Sequence, residues 1–247
     1  MKILLTSGGT KIPIDRVRDI TNMSKGTFGS KIAYELLKLG HDVYFFTSKD
    51  GRTPFKLEID LAKGYEESNM EPWVRDHLQA IEAMKEKVSL LKHYQEMEYR
   101  TFDEYFERLE RIVKIEQPDV VVLAAAVSDY GVKNPFKGKV RSNDMLKVEL
   151  EQLPKIIYYI KEWHPTCKMV GFKLLVDSKD YQLIDAAKKS IADNKCDMIV
   201  ANDLADIKEG KHKVHLVFPN EEPITFKTDP SDPNFLARMV AQYTVKL

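Results

Sequence analysis

The residues with the clearest chemical potential come in short clusters. Directly after the apolar run Ile3-Leu4-Leu5 the chain reads Thr6-Ser7-Gly8-Gly9-Thr10, two glycines set between hydroxyls. A strand that ends in glycines and leads toward a helix N-terminus offers backbone N–H groups with no intrahelical partner, and the helix dipole favours negative charge there. A phosphorylated ligand is the natural guest. The segment continues through Arg18, Asn22, Ser24 and Gly26 and reaches helical periodicity only near Ser30. Ala125, Ala126 and Asp129 follow a second apolar run, and Phe172 and the pair Asn202-Asp203 close two more. Asp129 and Asp203 can accept hydrogen bonds from a ribose or hold a cation, and Phe172 offers a ring to a base. Lys139 lies in a loop with Lys133, Lys137 and Arg141, while Lys188 and Lys189 adjoin on a helical pattern.

Such clusters converge only if strands bring their ends to one edge. Ile3 to Thr6 reads as a strand, Lys31 to Leu39 as a helix with Gly40 as its stop, and Asp42 to Thr47 as a second strand, a β-loop-α-β unit. Between about residues 49 and 101 a helical insertion carries Val74, Leu78, Ile81, Met84, Val88 and Leu91 at spacings of three and four. Its apolar stripe is expected to pack on the parent domain rather than on a second subunit. Thr101 and Glu104 form a capping box for a helix with Tyr105, Leu109 and Ile112 inward. The continuously apolar stretch Val120 to Ala126 suits a strand covered on both faces. The spacing then predicts a strand over Leu146, Val148 and Leu150, a helix from Pro154, a strand over Met169 to Phe172, a helix over Asp180 to Asn194 and a strand over Met198 to Ala201. A hairpin of Val214 to Phe218 with Ile224 to Phe226 follows, and Asp232-Pro233 opens a last helix. The sum is a single α/β domain over residues 1–247, with a Rossmann-like, doubly wound, mostly parallel sheet and a late antiparallel hairpin. Ligands bind such sheets beyond the carboxyl ends of the strands.

With 38 basic and 38 acidic residues among 247, net charge is formally zero. No global field then favours nucleic acid or an anionic membrane, and neither is expected as a partner. Cys167 and Cys196 form no C-x-x-C pair, and the histidines show no ligand spacing, so neither a disulfide framework nor a transition-metal site is expected. The longest apolar run, Val120 to Val127, is shorter than the about 20 residues a span needs. The chain opens on a strand without a signal-peptide pattern, so a cytoplasmic protein is expected.

The ordered series S-G-G-T, P-I-D-R-V-R-D-I-T-N-M-S-K-G-T-F-G, A-A-A-V-S-D-Y, K-V-R, V-G-F-K-L and V-A-N-D, from Thr6 to Asp203, resembles phosphopantothenate–cysteine ligase. The length and wording resemble its monofunctional form. The resemblance implies a ligase of coenzyme A biosynthesis, consuming CTP or ATP with Mg²⁺, that joins 4′-phosphopantothenate to L-cysteine through an acyl-nucleotidylate, and it implies a homodimer. Gly8, Gly9 and Thr10 then match the phosphate-cradling turn. Arg18 and Asn22 keep the family's four-residue separation, the asparagine handling the acyl-nucleotidylate. Ala125, Ala126 and Asp129 fall where the nucleoside is held, with Asp129 also the candidate Mg²⁺ ligand. Lys139 matches the lysine opening a flap over the intermediate, Phe172 the aromatic against the base, and Lys188 or Lys189 the helix lysines that reach phosphate. Ser24, Gly26 and Asn202 stand among the substrate-binding positions. Ser142 stands where the flap usually has a lysine, and Lys25 and Thr27 where serine and lysine are usual.

Each residue alone has an ordinary structural use: glycines for a tight turn, Asn22 for a cap, Arg18 for an ion pair, Phe172 for core. Their ordered coincidence favours function. Two rivals share the architecture. An NAD(P)-dependent Rossmann-fold oxidoreductase is recommended only by Tyr34 and Lys38, since G-x-G-x-x-G is absent and no acidic residue closes the second strand. A non-catalytic nucleotide-binding regulatory homologue would have lost Asn22 or Lys139, and both are present.

Overall fold

Apolar residues on both faces of Lys2–Ser7 (β1) bury this strand in the middle of a sheet, as an inner parallel strand requires. A computed structural model describes residues 1–55, 70–141 and 145–247, without the side chains of Asp76, Gln79, Ala80, Ala83, Met84, Glu86 and Lys87. After β1 come the hairpin β2 (Lys11–Pro13) and β3 (Asp19–Thr21), α1 (Thr27–Lys38), β4 (Asp42–Ser48), α2 (Met70–Val88), β5 (Tyr94–Tyr99), α3 (Phe102–Glu116) and β6 (Val120–Leu123). The second half holds β7 (Tyr130–Val132), β8 (Leu150–Gln152), α4 (Ile160–Trp163), β9 (Lys168–Leu175), α5 (Asp180–Asn194), β10 (Met198–Asp203), α6 (Leu204–Lys208), β11 (Lys213–Val217), β12 (Ile224–Lys227) and α7 (Phe235–Thr244).

The main sheet runs β12-β11-β10-β9-β6-β1-β4-β5. Its six parallel strands, taken in chain order, stand as 3-2-1-4-5-6, the doubly wound arrangement. Among the described residues, only β11 and β12 are antiparallel in this sheet. The period of two along the strands sorts the core. Ile3, Leu5, Val43, Phe45, Val120 and Val122 face α1 and α7, and Leu4, Phe46, Val121, Met169 and Ile199 face α3 and α5. Each such side chain contributes about 1.5–3 kcal/mol on burial.

Local chemistry sets the helix ends. The Thr101 hydroxyl accepts from the Glu104 amide at 3.2 Å while the Glu104 carboxylate reaches back to the Arg100 amide at 2.7 Å, the expected capping box shifted by one residue in its return arm. Helix α5 spans the predicted Asp180–Asn194. By contrast, α1 starts at Thr27, a turn before the periodicity shows itself, because its first turn, Thr27-Phe28-Gly29-Ser30, carries little apolar pattern. Gly26 precedes it at φ 72°, and a Cβ there would stand 2.5 Å from Ser7 Oγ and 2.9 Å from the Gly8 nitrogen. Only glycine lets α1 dock so closely on β1.

Several expectations are corrected. The strand predicted over Leu146 to Leu150 is instead Leu150–Gln152, because Gly131 on β7 leaves room for Leu153 and sets that register. The Asp232 carboxylate accepts from the Asn234 amide at 2.9 Å in a turn, so α7 begins only at Phe235. Edge strand β5, with the charged pattern Y-Q-E-M-E-Y, carries no apolar alternation and escaped prediction. Among the described residues the stripe on α2 is left uncovered by the parent domain: Val74, Leu78, Ile81 and Val88 are exposed. Met84 and Ser142 lie outside the residues whose side chains are described, as does the part of the expected 49–101 insertion over residues 56–69.

Candidate active site

The two halves of the sheet part between β1 and β6, where Ile3 is in register with Val120 and Thr6 with Leu123. Beyond these strands the two connections are stitched together. Ala124 N–H donates to the Thr6 carbonyl at 3.2 Å, Ala126 N–H to Gly8 at 2.7 Å, and Thr10 N–H to Ala126 at 3.3 Å. The buried Thr10 hydroxyl accepts from the Ser128 amide at 3.0 Å. Thr10 therefore fixes the turn from within. Gly8 lies at φ 84°, and a Cβ on it would come within 2.1 Å of Ser48 Oγ at the end of β4. Gly9 passes so close to Asn22 that a Cβ would lie 3.1 Å from its carbonyl oxygen. The predicted phosphate turn is thus a tight, preset backbone loop at the switch point.

Asn22 is exposed, yet its Nδ2 donates to the Ala126 carbonyl at 2.9 Å, across 104 residues of chain. Thr21 beside it donates its hydroxyl to the Thr10 carbonyl at 3.1 Å. The small hairpin β2–β3 is the device that carries Asn22 back over the glycine turn, a role hidden in the sequence by its polar composition. Ser24 and Gly26 follow, with the Gly26 amide 3.4 Å from Ser24 Oγ and the Gly26 carbonyl accepting from Ser7 Oγ at 3.1 Å. A cleft of about 420 Å³ opens here, lined by Gly9, Lys11, Asn22, Ser24, Lys25 and Ser48 among others. Lys11, not anticipated, pairs with Asp50 at 2.5 Å on its wall.

A second cleft of about 210 Å³ lies on the β6 side, lined by Tyr105, Ala125, Ser128, Asp129, Lys155 and Phe172. The Tyr105 hydroxyl, kept neutral by burial that pushes its pKa up, donates to Thr6 Oγ1 at 3.2 Å, and Thr6 Oγ1 in turn accepts from the Ala125 amide at 3.3 Å. Asp129 is exposed at the mouth and its main-chain oxygen accepts from the Leu153 amide at 2.9 Å. Among the described residues no group of three or more His, Cys, Asp and Glu forms a metal cage. Phe172 is half-buried and meets Phe28 edge-on, ring centroids 6.3 Å apart, and Phe28 meets His212 at 5.2 Å. His212 lies 3.4 Å from the buried Asn202 amide. Phe28 and His212 thus back the residues predicted to hold base and substrate, and only proximity in space reveals them.

Asp203 is corrected. Its carboxylate is held below the usual range by the Ser178 hydroxyl at 2.7 Å and by the amides of Ser178, Ala205 and Asp177, so it caps α6 and clamps a turn. It is not available to a ribose or cation. Lys188 and Lys189 lie exposed on α5, about 12 Å along the helix from its first residue, and line neither cleft. The structure therefore does not bring them to the other site residues.

Arg18 and Lys139 form a separate group. Arg18 pairs with the buried Asp15 at 3.1 Å and donates to the Val140 carbonyl at 3.2 Å. Arg18 is thus engaged with the chain itself, while exposed Lys139 occupies the residue between two such anchor points. Asp15 was not anticipated, although an aspartate two residues before an amide it can accept from is a common turn signal.

Residues 1–85 and 85–244 match the model of a family described as the DNA/pantothenate metabolism flavoprotein C-terminal domain. The chain is 33% identical over 216 residues to the coenzyme A biosynthesis bifunctional protein CoaBC of Thermococcus kodakarensis, which covers 87% of this chain and 44% of that protein. It is 28% identical over 233 residues to phosphopantothenate–cysteine ligase 2 of Oryza sativa subsp. japonica, covering 84% and 69%. The chain therefore spans about half the length of the bifunctional relatives it matches. A solved structure, the DNA/pantothenate metabolism flavoprotein from Streptococcus pneumoniae, superposes with a TM-score of 0.73 at 28% identity, covering 100% of this chain and 97% of the other. Fold, ordered motifs and family match agree: the chain belongs to the family of the DNA/pantothenate metabolism flavoprotein C-terminal domain.

Proposed function

We propose that this protein is a phosphopantothenate–cysteine ligase of coenzyme A biosynthesis. The observation that carries the reading is Asn22 anchored to Ala126 directly over the Gly8–Thr10 turn, at the switch point of a doubly wound sheet. In the first half-reaction a carboxylate oxygen of 4′-phosphopantothenate attacks the α-phosphorus of CTP or ATP, and pyrophosphate leaves. In the second, the amine of L-cysteine attacks the acyl carbon, the C–O bond breaks, and the nucleoside monophosphate departs with that oxygen. The Gly8 to Thr10 turn receives phosphate charge on backbone groups that need no reorganisation. Ala125, Asp129 and Phe172, which line the second cleft, hold the nucleoside there, with Ala126 next to Ala125 in the chain. Asn22 and Lys139 act on the activated acyl group, with Ser24, Gly26 and Asn202 placing substrate. The joining of Asn22, Ala126 and the Gly8–Thr10 turn supplies orientation that the two-step transfer needs.

Asp129 is the carboxylate that would share a Mg²⁺ with the substrate phosphates. One exposed carboxylate fits a cation that takes most of its ligands from phosphates and water, and the ion would neutralise charge on the leaving pyrophosphate. Tyr34 and Lys38 serve α1 instead of a hydride transfer: the lysine lies over the tyrosine ring at 5.6 Å and pairs with Glu35 at 3.2 Å.

The protein acts as a homodimer in this reading. An antiparallel copy of α2 centred near Leu78 would set Glu71 against Lys85 and Arg75 against Glu82 around the exposed apolar stripe. The reaction is assigned to the cytoplasm. No described helix is long and apolar enough to cross a membrane, and burial pushes the free thiol of Cys196 up to about 12 and raises that of Cys167. Pyrophosphate release with 4′-phosphopantothenate, Mg²⁺ and each nucleotide, with and without cysteine, tests the reading and identifies the nucleotide. Folded protein that releases none with either nucleotide contradicts it.

A further inference from the structure

The buried carboxylate of Asp15 divides its two oxygens between two loops. Asp15 is 5% exposed. Oδ1 accepts from the amides of Val17 and Arg18, both at 2.8 Å, and so closes the turn between β2 and β3. Oδ2 accepts from Arg18 Nη1 at 3.1 Å and from the Val140 amide at 3.1 Å. Three more bonds run between the same segments: Phe136 N–H to the Ile14 carbonyl at 2.8 Å, Arg16 N–H to Gly138 at 3.2 Å, and Arg18 Nη2 to Val140 at 3.2 Å. Residues 14, 16 and 18 thus meet 136, 138 and 140 in step. Lys139 sits between two pinned neighbours, and the hairpin that pins them is the one that carries Asn22 over the glycine turn.

We propose that Asp15, acting through Arg18 and the Val140 amide, is a positioning residue that fixes the Lys139 segment on the Asn22 hairpin. An exposed loop with three lysines or arginines nearby would otherwise be mobile and self-repelling. The carboxylate supplies charge-assisted bonds to the guanidinium and an acceptor for the Val140 amide. It remains ionised at neutral pH because the Val17 amide, with those of Val140 and Arg18, holds it below the usual carboxylate range against the opposing effect of burial. Arg18, which the family resemblance makes a candidate catalytic residue, takes part in the same positioning role through one guanidinium N–H to Asp15 and one to the Val140 carbonyl. This inference rests on the reading of Lys139 as a group that acts on the activated acyl intermediate.

The two oxygens allow a selective test. In Asp15→Asn the remaining carbonyl oxygen can still accept from Val17 and Arg18, whereas Nδ2 in place of Oδ2 can accept neither from Val140 nor from Arg18. Hydrogen exchange at the Val140 amide is expected to rise at least about tenfold, as for a locally released segment. During turnover, a misplaced lysine segment leaves the mixed anhydride open to water, so the ratio of pyrophosphate to amide product should climb from one to about two or more. Arg18→Gln, which keeps the turn-closing bonds of Asp15, should show the same pair of changes and carries the test if Asp15→Asn does not fold. Unchanged Val140 exchange in both variants overturns the latch, and faster exchange with a product ratio still at one overturns its role in positioning Lys139. If the unsubstituted protein releases no pyrophosphate, the ligase reading fails, and Val140 exchange alone then decides the latch.

Discussion

Asn22 joins two distant stretches of chain through a single amide, and that economy makes it separable from the fold. Its bond to Ala126 is solvent-exposed, so its loss should lower stability by only about 0.5–1.5 kcal/mol. Loss of a group acting on the developing charge of the acyl transfer costs far more, on the order of 10²-fold or greater in turnover. Asn22→Ala is therefore expected to keep its circular dichroism and a cooperative melt lowered by only a few degrees while amide formation falls at least about a hundredfold. Turnover at the unsubstituted rate would remove Asn22 from the site. At this scale the sequence made the placement of residues, not their role, readable where residue type and order coincide, as in the tight Gly8-Gly9-Thr10 turn with Asn22 beside it. It was opaque where a side chain has two plausible uses. Asp203 and Arg18 both look chemically free in the sequence, yet each is engaged partly by a residue far along the chain, Asp203 by Ser178 and Arg18 by Val140, which spacing cannot reveal.

Among the elements, α2 departs most from expectation. Its apolar positions at three- and four-residue spacing predicted a helix correctly, since the helical period depends only on local sequence. The partner of that face is a tertiary matter, and the exposed Val74, Leu78, Ile81 and Val88 show that the described residues of the parent domain do not supply it. An exposed leucine at the centre of the stripe is the natural place to test association. The protein should sediment as a dimer, and Leu78→Glu should convert it to monomer, because an isologous contact places both copies of the charge together. A monomeric unsubstituted protein at micromolar concentration contradicts the dimer. Helix α3 and helix α5 were legible for a related reason: a capping box and a clean inner stripe are local signals. The β2–β3 hairpin and β5 were not, because three-residue strands and charged edge strands carry no alternation to detect.

Over the whole molecule, the sheet order explains why the glycine turn, the Ala125 to Asp129 connection and Phe172 meet, since strands distant in sequence end side by side where the winding reverses. The same packing buries titratable groups and gives stability a pH dependence. Burial holds the pKa of His212 and His215 down despite nearby Asp206 and Asp180. As pH falls through about 6.5 the unfolded chain takes up protons that the folded protein resists, so stability declines. Asp15, Asp180 and Asp203 are held below the usual carboxylate range by their hydrogen bonds, so a further loss begins below about pH 4, where the unfolded carboxylates protonate first. The melting temperature should be highest above neutrality and fall in these two stages, the upper stage shrinking in His215→Gln. A melting temperature that is flat from about pH 7.5 to 5.5 contradicts the buried-histidine account. The central claim, that the switch-point site activates a carboxylate as an acyl-nucleotidylate, is tested most directly by oxygen transfer. With ¹⁸O in the carboxylate of 4′-phosphopantothenate, the account predicts that the nucleoside monophosphate released with the amide product carries one labelled oxygen and the pyrophosphate carries none. Label in inorganic phosphate, or an unlabelled nucleotide accompanying amide formation, would contradict it.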